Sequence, residues 1–280
     1  NRNSAKQALD ELLKDPQFIF QLFQFLQESI QTEKNSNLLQ CICIVIKEII
    51  GIHWNSYQET EIEQIFGQLF NFIFILPNEV RPLLYSPLVS IFFPNPTFTK
   101  PSFSICCQHL SQNSIMNTSS SLYLISQLAF LRTMNKSNSS EMVELTQSIL
   151  PNIISILLNV IESIKNPTNN SILSSCISST ATLFKAFISH FPLFLLNEHI
   201  SQLFVLLFSS ISNVNYNTKT TIFELINSFI KTFFLRFSKD ESFHNIRLFF
   251  IDQLIPIIQQ SILSLFQSSN IDIVCLSTCF

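Results

Sequence analysis

Two stretches of sequence decide the fold: residues 1–28, NRNSAKQALDELLKDPQFIFQLFQFLQE, and residues 38–54, LLQCICIVIKEIIGIHW. In the first stretch apolar residues recur every three or four positions on both sides of Asp15 and Pro16, at Ala5, Leu9, Leu12 and Leu13 and then at Phe18, Leu22, Phe25 and Leu26. This spacing predicts two helices joined by a tight corner. The second stretch predicts a helix that is apolar almost all round and packs between neighbours.

Similar helical patterns continue along the chain after Trp54. They are predicted at about Glu59 to Leu76, Glu79 to Phe93, Phe103 to Leu110, Ser120 to Met134, Met142 to Ile164, Ile172 to Phe191, Leu195 to Ile211, Thr218 to Phe237 and Phe243 to Phe266. The first helices of successive pairs begin roughly 35 to 50 residues apart, which is near the period of HEAT and armadillo repeats. The sequence therefore predicts an all-α fold, a HEAT-type α-solenoid of about six stacked helical hairpins.

Polar linkers and prolines punctuate this pattern. Short Ser- and Asn-rich linkers surround Asn138, Pro167 and Asp240. Three prolines in residues 94–101 interrupt the third pair, and the run from Asn117 to Ser121 predicts a surface loop. We divide the chain into N-terminal repeats over residues 1–93 and further repeats of the same solenoid over residues 94–280.

The composition excludes several classes of protein. The chain has 280 residues, of which 47% are hydrophobic and only 12% charged, so Ser, Asn and Gln are expected at the solvent positions. A net charge of −3 without a basic stripe argues against nucleic-acid binding. Gly51 and Gly67 are the only glycines, which excludes phosphate-cradling loops, the dinucleotide fingerprint and the Gly-flanked serine elbow.

The cysteines and histidines give no sign of an enzyme. The seven cysteines are scattered through apolar surroundings, which argues against a disulfide scaffold. Cys106, Cys107 and His109 lie close together, but a tetrahedral zinc site needs four ligands, and buried thiols explain them better. No motif combines a nucleophile, a base and an orienting group, so we expect no catalysis, no metal and no cofactor.

The sequence favours a soluble intracellular protein. We find no signal peptide and no apolar run of the roughly 18 to 20 residues that a membrane span requires, and we expect no membrane insertion. The sequence begins at Asn1 rather than Met, inside a predicted helix, which is typical of a fragment or an incomplete gene model.

The opening two hairpins resemble the N-terminal domain of importin-beta superfamily nuclear transport receptors. The residues that carry the resemblance in the first hairpin are Arg2, Ala5, Leu9, Leu12, Pro16 and Phe18. Those in the second are Ile46, Lys47, Ile50 and the closing Trp54, with Glu48 where Asn is usual and Leu38, Leu39 and Gln40 where a basic residue is often found. Residues 184–197, FKAFISHFPLFLLN, are similar to the importin seven and eight group and to the exportin that recycles importin alpha.

The resemblance implies a HEAT solenoid whose N-terminal repeats bind the GTP form of the GTPase Ran and couple that binding to protein cargo. It also implies contact with the Phe-Gly repeats of nucleoporins, and a location in the nucleus, the cytoplasm and the pores of the nuclear envelope. Members of this family are several times longer than this chain. The alternative is a HEAT-repeat scaffold that mediates protein–protein assembly outside nuclear transport. Import is not distinguished from export, nor is the cargo identified.

Two polar stripes on second helices are the candidate Ran-binding surface. The first comprises Gln24, Gln27 and Glu28, and the second comprises Glu61, Gln64, Gln68 and Asn71, spaced by three or four residues. Second helices line the inner surface of such solenoids, so each stripe faces either a partner or only solvent. Trp54 and Lys47 are interpreted as packing residues, and Arg81 as a brace for the adjacent repeat through its several donors.

Overall fold

The computed structural model describes residues 7, 9–32, 35–110, 114–134, 139–162, 170–188, 198–211, 214–232, 241 and 244–267. Over these residues the regular structure is helical and contains no strand, which confirms the predicted all-α class. The chain forms two compact units, residues 1–98 and residues 99–280. This boundary lies a few residues beyond the division predicted after residue 93.

The first unit contains four α-helices with described bounds, and residues 9–12 before them are also helical. The four helices are α1 (Phe18–Gln31), α2 (Ser36–His53), α3 (Glu59–Ile75) and α4 (Arg81–Pro87). A 3₁₀ turn, Trp54–Ser56, follows α2, while a π-helical turn, Leu88–Phe92, and a second 3₁₀ turn, Pro96–Phe98, follow α4. Helix α1 packs against α2, and α4 packs against both α2 and α3.

The buried face of α1 is only partly the predicted one, since Leu22 and Leu26 are buried whereas Phe18 is half-buried and Phe25 is 38% exposed. On α1 the buried residues Ile19, Leu22, Phe23 and Leu26 recur every three or four positions, so one face of the helix enters the core. Helix α2 begins at Asn35, whose side chain accepts a hydrogen bond from the backbone N–H of Asn37 at 3.0 Å. Helix α3 ends just before Pro77, which cannot donate a helical hydrogen bond.

The second unit contains eight α-helices among its described residues. They are α5 (Thr99–Leu110), α6 (Ile115–Met134), α7 (Ser139–Glu162), α8 (Asn170–Ile188), α9 (Glu198–Ser209), α10 (Tyr216–Thr232), α11 (His244–Phe249) and α12 (Ile255–Gln267). A π-helical turn, Phe250–Leu254, joins α11 to α12. Every predicted helix after Trp54 has a counterpart within a few residues of its predicted start.

Alternate helices of the second unit pack against each other. Helix α8 packs between α6 and α10, while α9 contacts both α7 and α12. Sequential neighbours also touch, as in the pairs α5 with α6, α6 with α7, and α7 with α8. Helices α5, α6 and α7 therefore each contact both the next helix and the next but one.

The prediction of a surface loop from Asn117 to Ser121 is wrong. These residues lie inside α6, and Thr118, Ser120 and Ser121 are buried. The expectation that serine occupies solvent positions also fails in this unit, where Ser126, Ser174, Ser179 and Ser210 are buried as well. A helical hydroxyl can bond to a carbonyl of its own preceding turn, as Ser126 does to Tyr123 O at 2.7 Å, so a small polar residue can be buried with its hydrogen bond made.

Among the described residues, two helices are long and apolar enough to cross a membrane by length and composition, contrary to the expectation from sequence. They cover Ser36–Ser56 and Ser171–Ile188, and 67% of the second segment is buried inside the structure. Core helices of soluble proteins meet the same criterion. The predicted linkers around Asn138, Pro167 and Asp240 lie mostly outside the described residues.

Candidate functional site

A pocket of about 340 Å³ lies between α1 and α3 of the first unit. We call it the amide pocket because most of its polar lining consists of carboxamides. Its lining residues are Phe20, Phe23, Gln24, Gln27 and Glu28 from α1, and Gln64, Gln68, Asn71 and Phe72 from α3. Its volume is at the lower end of the range for ligand-binding pockets, about 300 to 1,000 Å³.

The amide pocket brings together six of the seven residues predicted as Ran-binding candidates. Gln24, Gln27 and Glu28 come from one predicted stripe, and Gln64, Gln68 and Asn71 come from the other. Sequence periodicity placed each group on one face of its own helix, but it did not show that the two faces meet.

Three phenylalanines form the apolar part of the pocket, and the sequence analysis did not single them out. Phe23 and Phe72 stack across the α1–α3 contact, with ring centroids 5.7 Å apart and planes 22° from parallel. Both rings are almost fully buried, whereas Phe20 is half-buried. The signal that identifies them is their position next to the polar stripes, at Phe23–Gln24 and Asn71–Phe72.

The polar lining of the amide pocket is nearly uncharged. Its five carboxamides supply both donors and acceptors, and Glu28 is its single formal charge. Gln24 Nε2 donates to Glu28 Oε1 at 3.5 Å, one turn along α1. Because no Lys, Arg or His lines the pocket, its chemistry suits a neutral or basic group rather than a phosphate or a carboxylate.

Glu61, the seventh candidate, does not line the pocket and instead holds the start of α3. Its Oε2 accepts a hydrogen bond from the Gln58 backbone N–H at 2.8 Å, and its Oε1 accepts one from Gln17 Nε2 at 2.7 Å. The first of these is the reciprocal bond of a capping box. The hydrogen bonds from the Gln17 side chain and the Gln58 backbone lower the pKa of Glu61, since they favour its charged form.

Two further hydrogen bonds attach residues 13–17 to the end of α2, and we call these residues the corner segment. His53 Nε2 donates to the carbonyl of Leu13 at 2.8 Å, and the Tyr57 hydroxyl donates to the carbonyl of Pro16 at 3.1 Å. Burial raises the pKa of Tyr57 to about 12, with smaller contributions from Glu61 and Asp15. With the Gln17–Glu61 bond, these contacts fix the entry into α1, the helix that supplies half of the amide pocket.

The residues that carry the family resemblance differ in how far they are buried. Arg2 and Ala5 lie outside the described residues. Leu9, predicted on an apolar helical face, is 38% exposed, and Leu12 is 44% exposed. Pro16 and Phe18 are half-buried at the start of α1, while Lys47, interpreted as a packing residue, is exposed on α2.

Trp54 and Arg81 each contact side chains or carbonyls of neighbouring elements. The indole of Trp54 meets Phe92 edge to face, with centroids 4.9 Å apart. Arg81 is only 4% exposed and donates through Nε to Leu76 O at 2.7 Å and through Nη2 to Phe74 O at 3.2 Å. It therefore caps the end of α3 and joins it to α4; burial lowers the pKa of its guanidinium.

The described cysteines are free thiols, and most are buried. Burial raises the pKa of Cys43 and Cys176 to about 12 and that of Cys107 to about 11, and it also raises the pKa of Cys106. These thiols are therefore protonated at neutral pH. Within the described parts of the chain, no group of three or more His, Cys, Asp or Glu residues is placed to hold a metal ion; Cys275 and Cys279 lie outside them.

No protein-family model matches this chain, and neither a curated protein nor a solved structure does. The amide pocket is therefore described by its own geometry.

Proposed function

We propose that this chain is a segment of an importin-beta-type nuclear transport receptor, which binds Ran in its GTP form and couples that binding to protein cargo transport through the nuclear pore. The observation that carries the proposal is the amide pocket. Six residues chosen from sequence as partner-facing line this one concavity, on the second helices of two successive predicted hairpins.

We further propose that the hairpins form a HEAT-type solenoid. The support is the packing of the second unit, where α6, α8 and α10 contact in succession, and α7, α9 and α12 do so too. A stack of helical hairpins produces two such series, one of first helices and one of second helices. In such a stack the second helices α1 and α3 of the first unit belong to the layer that carries the partner surface.

The lining of the pocket constrains how it can contact a GTPase. With no cation among its residues, it offers no charge-assisted contact to the phosphates of a bound nucleotide. Selectivity for the GTP form must then come from the protein surface of the GTPase, whose conformation changes when the γ-phosphate is present. Carboxamides suit such a role because each can donate to and accept from a main chain.

A pull-down with Ran locked in its GTP or GDP state tests the proposal. We expect the chain to be retained by the GTP form only. The double variant Gln64→Ala/Gln68→Ala should bind about 10- to 30-fold more weakly, since each lost hydrogen bond is worth about 1 kcal/mol. Glu61 is left unchanged because it caps α3.

Gln21→Ala is the matched control for this experiment. Gln21 is exposed on α1 but does not line the pocket, so its loss should leave retention unchanged. If the folded chain binds neither state of Ran, the transport proposal is wrong, and an assembly scaffold of the same architecture takes its place.

A further inference from the structure

The carboxamides of the amide pocket match the main chain of an extended peptide in length. On α3, Gln64, Gln68 and Asn71 follow one another at intervals of four and three residues. Seven residues of helix at about 1.5 Å each span roughly 10 Å. An extended chain advances about 3.3 Å per residue, so this row of amides runs beside about three residues of it.

The opposite side of the pocket completes such a groove. Gln24 and Gln27 of α1 face the same space, so carboxamides are available on both sides of a segment lying between the helices. An extended segment exposes N–H and C=O groups along both of its edges. Carboxamides carry a donor pair and an acceptor, so they can satisfy either kind of group.

The apolar part of the pocket requires a side chain from the ligand. Phe20 is half-buried and supplies the exposed ring surface of the pocket, while the rings of Phe23 and Phe72 that also line it are almost fully buried. A segment made only of small polar residues would leave this surface in contact with water. An aliphatic or aromatic side chain would bury it, which is favourable in proportion to the apolar area removed from water.

The charge of the pocket selects a second side chain of the ligand, two positions from the apolar one. Glu28 is exposed and is the only charged group in the lining. In an extended segment, side chains two positions apart point to the same side. A Lys or Arg two positions from the apolar side chain can therefore reach Glu28, whereas an acidic residue there would be repelled.

We propose that the amide pocket recognises about three residues of extended polypeptide that carry an apolar side chain followed, two positions on, by a Lys or Arg. The inference deepens the proposed function and rests on it only in taking this pocket as the surface that meets the partner. The inference specifies the side chains of the bound segment and does not depend on which protein supplies that segment.

The probe is the capped peptide acetyl-Thr-Thr-Leu-Thr-Lys-Thr-amide, titrated with the whole chain and followed by broadening of the peptide NMR signals. We expect binding that weakens about fivefold or more when Asp replaces the Lys of the peptide, and likewise when Ala replaces its Leu. The variant Gln24→Ala/Gln68→Ala should weaken binding of the original peptide by a similar factor.

A charge reversal gives the sharpest test. In Glu28→Lys the preference should invert, so that the Asp peptide binds better than the Lys peptide. Gln21→Lys makes a change of the same kind on the exposed face of α1 outside the pocket and should preserve the original preference. Circular dichroism of each variant shows whether the helices are intact.

Two results would overturn the inference: no binding of the Lys peptide by the folded chain, or the same peptide preference in Glu28→Lys as in the unsubstituted chain. The Ran pull-down is read separately. Retention by Ran-GTP without peptide binding rejects only this inference, while peptide binding without retention by Ran rejects only the transport proposal.

Discussion

At the scale of single residues, Glu61 differs from the other members of its stripe although sequence periodicity groups them together. Gln64, Gln68 and Asn71 line the amide pocket, whereas Glu61 lies one turn earlier and bonds to Gln17 and to the backbone of Gln58. Glu61 lies in the first turn of α3, where backbone N–H groups have no carbonyl partner within the helix, and this position explains the difference. The carboxylate therefore supports the fold.

The lowered pKa of Glu61 predicts a pH-dependent contribution to stability. Because the folded state favours the carboxylate, this contribution is fully present above the ordinary pKa of a glutamate and is lost as the pH falls through the lower pKa of the folded protein. Glu61→Gln should lower the urea midpoint at neutral pH, and the difference from the unsubstituted chain should shrink on acidification.

Glu63→Gln is the control for this titration, since Glu63 is an exposed carboxylate on the same helix outside the capping box. It should show a smaller difference at neutral pH. An equal loss in the two variants, or a Glu61→Gln effect that does not change with pH, would contradict the assignment.

Sequence reasoning identified residues whose role depends on local spacing and missed those whose role depends on distant contacts. The six polar pocket residues follow from intervals of three and four within a helix. The bonds of His53 to Leu13 and of Tyr57 to Pro16 join residues 40 and 41 positions apart, and no periodic pattern connects them. For the same reason, the stacking of Phe23 on Phe72 was not predicted.

At the scale of elements, hydrophobic spacing predicted where helices exist better than where they begin. Helix α5 starts at Thr99, before the predicted start at Phe103, and so includes Pro101 in its first turn. A proline is tolerated there, since its missing N–H would have no partner within the helix. Helix α6 extends through the Ser-rich residues 117–121 because tertiary packing buries them.

An aromatic cluster joins α3 to the turns that follow α2 and α4. Phe92 is fully buried and lies with its ring centroid 4.9 Å from that of Trp54, 5.4 Å from that of Phe66 and 5.2 Å from that of Phe98. Such pairs add to the burial of the rings themselves. The cluster holds the π-helical turn Leu88–Phe92 against the rest of the first unit.

Phe92→Ala should destabilise the first unit by about 3 to 5 kcal/mol, the usual cost of removing a buried phenylalanine ring. Because Trp54 is the only tryptophan, its fluorescence reports this contact directly, and the emission should move to longer wavelength. Phe25→Ala is the control, since Phe25 is 38% exposed on α1 and should change neither the emission nor the urea midpoint by much. Unchanged emission in Phe92→Ala would show that Trp54 does not contact Phe92.

At the scale of the whole molecule, the chain forms two compact units, whereas the sequence predicted a division after residue 93 only between repeats of one continuous solenoid. Each unit has its own set of buried residues, with Ile46, Ile65 and Leu84 in the first and Leu124, Ala181 and Phe223 in the second. Periodicity within helices carries little information about such a division, since it depends on which helices contact one another.

Two separate cores predict two separable unfolding transitions. Ala181 is fully buried on α8, which packs against α6, α7 and α10, so Ala181→Leu should overpack the second unit at a cost of about 1 to 3 kcal/mol. Thermal unfolding followed by circular dichroism should then begin at lower temperature, while the transition followed by Trp54 fluorescence should change little. Ser171→Leu, at an exposed position of the same helix, is the control.

Equal shifts of the fluorescence and circular-dichroism transitions in Ala181→Leu would contradict this expectation. They would mean that the helices of both units melt as one cooperative body.

The corner segment also has a consequence for the order in which the first unit assembles. Its three hydrogen bonds join residues separated by 40, 41 and 44 positions, and closing loops of that length costs conformational entropy before any bond is gained. Helices α1 and α2 are neighbours in the chain and can dock sooner. We therefore expect the corner segment to attach after α1 and α2 have docked as the chain folds, and to detach before they separate when the protein opens.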